Sequence, residues 1–78
     1  MPDLALELSN LELADRHIEE ARRQVAAASA RVQEREQAGE DADESRQTLR
    51  TLAESLAAFE AHRAVIVQTI EDTRAGRL

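Results

Sequence analysis

His17, His62 and Glu20 are the residues whose types and spacing come closest to a chemical site. His17-Ile18-Glu19-Glu20 sets an imidazole and a carboxylate one helical turn apart. Histidines and carboxylates at such spacing ligate metals in many helical bundles. Imidazole also titrates near neutrality, so the same residues could make a pH-responsive contact. The pattern departs from that of carboxylate di-iron bundles, which use Glu-x-x-His. Phe59 stands where the second segment would need its glutamate. No metal or other cofactor is therefore expected, and His17 and His62 are read as interfacial residues hydrogen-bonded to neighbours such as Gln24 or Ser55. Catalysis has less support still. The chain has no cysteine, no nucleophile elbow and no glycine-rich phosphate loop. Ser9, Ser29, Ser45 and Ser55 fit caps and helix surfaces, so the chain is not expected to be an enzyme.

The elements that carry these residues are helices. In 78 residues there is one aromatic, one proline and two glycines, and a third of the chain is charged. This excludes an all-β fold and fits long amphipathic helices in a single domain, residues 1–78. Leu4, Leu11, Ile18, Val25 and Val32 recur every seven residues, followed three positions later by Glu7, Ala14, Ala21, Ala28 and Arg35. Further along, Ala42, Leu49, Leu56, Arg63 and Ile70 pair in the same way with Ser45, Leu52, Phe59, Ile66 and Thr73. Two heptad stripes of this kind predict coiled-coil-like helices. The first spans 4–37 if Asp3 caps it, or 10–37 if the Ser9–Glu12 capping box does. The turn is expected at about 38–41, with Gly39 left-handed, and the second helix at 42–74, ending before Gly76. Asp41 with Glu44 is a further capping pattern.

The stripes fit each other in one antiparallel register. Val25 falls opposite Leu52, Ile18 opposite Phe59 and Leu11 opposite Ile66, and the reversal lands on Gly39. Arg63, facing Ala14, has room for its stem and can reach Asp15 or Glu60. The fold class is therefore all-α, an antiparallel two-helix hairpin.

Two helices cover each stripe only in part, and a second copy would complete a four-helix bundle. One flank suits that contact, with Leu6, Leu13, His17, Gln24, Ala58, His62 and Val65 as the expected interface and Glu20 its one charge. The other flank carries Glu12, Asp15, Glu19, Arg22, Arg46, Arg50, Glu60 and Glu71, beside Leu8 and Val67, and reads as solvated. Residues 31–48 offer few apolar side chains and are expected to form a polar tip.

The net charge is −6, all ten basic residues are arginine, and residues 40–44 hold four acids. Nucleic acids and anionic membranes call for a basic stripe, so neither is an expected partner. A nucleic-acid regulator would have to use Arg16, Arg22, Arg23, Arg31 and Arg35 on the first helix. With no basic-then-apolar leader and no span-length apolar run, a cytoplasmic location is expected.

Leu13-Ala14-Asp15-Arg16-His17-Ile18-Glu19-Glu20-Ala21 resembles short, uncharacterised bacterial hairpin proteins with a Leu-Ala-x-Arg-His-Ile-x-x-Ala start. Thr48-Leu49-Arg50-Thr51-Leu52 and Ala61-His62-Arg63 are similar to their second helix. The resemblance implies the same hairpin and no activity. The functional expectation is a non-enzymatic interaction module: a homodimer or higher homo-oligomer serving as scaffold, adaptor or small regulator, with room for an unidentified protein partner.

Overall fold

The computed structural model describes residues 3–77 and contains two helices, α1 (Leu4–Gln37) and α2 (Asp43–Arg74). Met1, Pro2 and Leu78, which the sequence-based domain span includes, lie outside the described residues. Folded against each other, the helices form a hairpin 58 Å long and 15 by 13 Å in section.

α1 begins at Leu4, the earlier of the two starts that the sequence offers. The Asp3 carboxylate accepts the amide hydrogens of Ala5 (3.0 Å) and Leu6 (3.4 Å). Such a cap contributes about 1 kcal/mol. A second force favours this start. Leu4 and Leu11 pack on the cluster formed by Ala14, Ile66 and Ile70. Starting at Ser9 would forfeit the Leu4 contact, so tertiary burial overrides the local capping box.

Both helices end in the same way. Glu40 donates its amide hydrogen to the Arg35 carbonyl and Gly39 to that of Glu36, while Arg77 and Gly76 do the same to Asp72 and Thr73. These are Schellman closures, which need a left-handed residue just past the helix. Gly39 and Gly76 supply it, with φ of 71° and 72°. Space is not the constraint, because a Cβ at either glycine would meet nothing within 4 Å. α2 starts one residue later than its sequence pattern suggests. The Asp41 carboxylate accepts the amide hydrogen of Asp43 rather than that of Glu44, and the Ala42 carbonyl accepts that of Arg46.

The heptad stripes form the seam. Ala14, Ile18, Ala21, Val32, Ala42, Ser45, Ile66 and Ile70 are buried in it. Leu4, Leu11, Val25, Ala28, Leu49, Leu52, Leu56 and Arg63 are half-buried. Contacts between Asp15 and Arg63, and between His17 and Phe59, fix the register that the sequence suggests. Arg35 and Phe59 depart from the stripe, since both are exposed. A seam lined by alanine and covered by only two helices has no second layer for a benzyl ring, and Phe59 lies on its edge. The turn end is better closed than its polar composition suggests, because Ala42 is 2% exposed beside buried Val32 and Ser45. No helix of the described residues is long and apolar enough to cross a membrane.

Candidate interaction face

The hairpin has two long flanks of opposite chemistry. On one, ion pairs tie α1 to α2: Asp15 with Arg63, Arg22 with Glu60 at 4.0 Å, and Glu36 with Arg46 at 3.3 Å. Arg63 is half-buried, and its Nε donates to Asp15 Oδ1. These pairs are largely solvated and each contributes little net stability. Among the described residues, no ion pair crosses between the helices on the other flank.

That second flank carries apolar side chains instead. Leu6 is 56% exposed, Leu13 47%, Val65 64% and Phe59 38%, and among the described residues only Leu8, at 40%, is a comparably exposed large hydrophobic on the charged side. His17, Gln24, Ala58 and His62, the remaining residues of the expected interface, are all exposed on the same flank. The hydroxyls there are turned inward. Thr51 Oγ1 donates to the Gln47 carbonyl, Ser55 Oγ to that of Thr51, and Thr69 Oγ1 to that of Val65, at 3.0–3.2 Å. A hydroxyl satisfied by its own helix gives up little when water leaves, and it presents a less demanding surface. This feature is invisible to side-chain type alone, which counts threonine and serine as polar.

The histidines and Glu20 do not converge. The His17 ring lies against Phe59, with centroids 5.5 Å apart and planes inclined by 43°. Glu20 is engaged by Arg23 at 2.7 Å and Gln24 at 3.5 Å. The hydrogen bond from Arg23, and then its charge, hold the Glu20 carboxyl below the usual range. Asp72 is held down in the same manner by hydrogen bonds from Arg77 and Gln68. The neighbours expected for the histidines are used elsewhere: Gln24 bonds Glu20, and Ser55 bonds its own helix. Among the described residues, no group of three or more histidines or carboxylates is disposed to hold a metal ion.

Towards the turn, the apolar flank dips into an open groove of about 600 Å³. Ala27, Ala28 and Leu52 form its apolar lining, and the charged Arg31, Arg35, Asp41 and Glu44 make the rest of it strongly polar. Periodicity did not reveal this groove, which arises where small residues of α1 lie beside the shorter side chains of α2. A run of alanine at 26–28 near the level of Leu52 was the available signal. Comparisons of the chain with protein-family models, curated proteins and solved structures returned no match.

Proposed function

We propose that this chain is a non-enzymatic interaction module that self-associates through its apolar flank, building a four-helix scaffold from two hairpins in the cytoplasm. The observation that carries this reading is the segregation of exposed hydrophobics. Leu6, Leu13, Phe59 and Val65 share one flank, free of helix-to-helix ion pairs among the described residues. Removing such side chains from water is favourable, at about 25 cal/mol per Å². The hydroxyls beside them are already satisfied by their own helix, so their share of the desolvation cost is low. A hairpin 58 Å long and 15 Å across has flanks of the scale of the ~800 Å² per partner that a standard interface covers. A second copy supplies a matching apolar face with no further component. In such a scaffold the charged flanks would remain outside, available to other proteins.

Sedimentation equilibrium at micromolar concentration tests the proposal. The expected result is a species of twice the 8.7 kDa chain mass. A well-folded monomer across that range rejects it.

A further inference from the structure

The structure withholds from His17 and His62 the two tasks that their sequence suggests. Among the described residues they join no group disposed to hold a metal ion. The hydrogen-bonding neighbours expected for them are engaged elsewhere. Their place on the apolar flank gives them another role. His17 stands one helical turn from Leu13, and His62 stands one turn from both Ala58 and Val65. Residues three or four apart share a helix face. Whatever covers Leu13 and Val65 therefore covers both imidazoles, whichever way round it lies. The His17 ring also rests against Phe59, with centroids 5.5 Å apart, which holds it on that face.

Resting on the self-association proposed above, we infer that His17 and His62 make the contact between hairpins pH-dependent, forming it when neutral and releasing it when protonated. Imidazole is the side chain that gains its charge between neutrality and mild acid. A charge taken out of water without a partner is costly, and the carboxylates that would offset it are already committed. On α1, Glu20 lies one turn from His17, but Arg23 and Gln24 take its two oxygens. Glu19 is paired with the same Arg23, and Arg16 is of like sign to an imidazolium. On α2, the positions one turn from His62 are Ala58, Phe59, Val65 and Ile66, all apolar. Across the seam, the register sets Glu60 and Arg63 nearest His17 and Asp15 nearest His62. Glu60 is paired with Arg22, and Asp15 with Arg63, on the opposite flank. A second copy presents the same flank, so it adds two more imidazoles and one more engaged Glu20. Protons thus bind the separated hairpins better than the pair and shift the balance towards them. The Glu20 carboxyl, held below its usual range by the hydrogen bond and charge of Arg23, keeps its charge throughout.

Sedimentation equilibrium at roughly pH 7.5 and pH 5.5, on either side of the imidazole range, tests the inference. The dissociation constant should rise at least about tenfold on acidification, while circular dichroism shows the helical content unchanged. His17→Gln with His62→Gln keeps neutral polar side chains at both positions. This variant should associate at both pH values, with a change below about threefold. A wild-type constant that stays level or falls in acid overturns the inference and leaves self-association intact. So does an equal rise in the variant, or a loss of helix that accompanies dissociation. A monomer at both pH values overturns the self-association as well.

Discussion

The two flanks of the hairpin are built from the same helices and the same heptads, yet they solve different problems. On the charged flank, Asp15, Arg22, Glu36, Arg46, Glu60 and Arg63 bridge α1 and α2, and water covers what remains. On the apolar flank, Leu6, Leu13 and Val65 project from the surface while threonine and serine hydroxyls are folded back onto the helix. A solvated ion pair orients two helices at small net gain. An exposed leucine does nothing for an isolated hairpin and contributes only when something covers it. The contrast teaches that the helix-to-helix contact and the outward contact are assigned to separate side chains, so each can be altered without the other.

The largest expected effect breaks the apolar flank alone. Leu13→Glu with Val65→Glu should weaken association by at least 30-fold, about 2 kcal/mol, because two central apolar contacts become unpaired charges. Leu8→Glu on the charged flank should change it less than about threefold, since a rim charge contributes little. Sedimentation across a concentration series reads both, and equal effects would erase the distinction between the flanks.

Ile18→Ala attacks the seam that the two flanks share. Ile18 is 5% exposed, and its truncation should cost about 2–4 kcal/mol of unfolding free energy. Urea denaturation measures it, and a loss below about 1 kcal/mol would mean that the seam is not the core. Asp3→Ala should cost about 1 kcal/mol through the lost cap. Amide exchange should accelerate at Ala5 and Leu6 first. Protection unchanged there would show that the helix is held by its seam contacts alone.

The smallest effect concerns pH. Glu20 and Asp72 have folded-state values below their ordinary ones. Their contribution is therefore complete above the unfolded carboxylate range, roughly pH 4, and is lost as pH falls through the folded values. The melting-temperature difference between the wild type and Glu20→Gln should be present at pH 7 and vanish on acidification. A difference that grows as the pH drops contradicts the Arg23 pairing.

Much of this fold is written in the heptads. Ile18, Val32, Ile66 and Ile70 are buried where a seven-residue repeat puts them, because side-chain direction along a helix follows from geometry alone. The turn is equally legible, since left-handed backbone is what glycine supplies at lowest cost. What escapes is anything set by competition or by volume. Asp3 prevails over Ser9 through the contact Leu4 makes with the distant Ile66–Ile70 cluster, which no local motif encodes. Phe59 holds a seam position and still lies at the edge, because periodicity gives direction and not room. The groove and the inward-turned hydroxyls depend on side-chain heights and rotamers, so the apolar flank was visible in outline while its relief was not.

The most direct measurement is an isotope-filtered NOE experiment on a mixture of ¹³C-labelled and unlabelled chains. The account predicts contacts between copies at the methyl groups of Leu6, Leu13 and Val65, and none at Leu8 or Val67. Contacts confined to Leu8 and Val67 would contradict it.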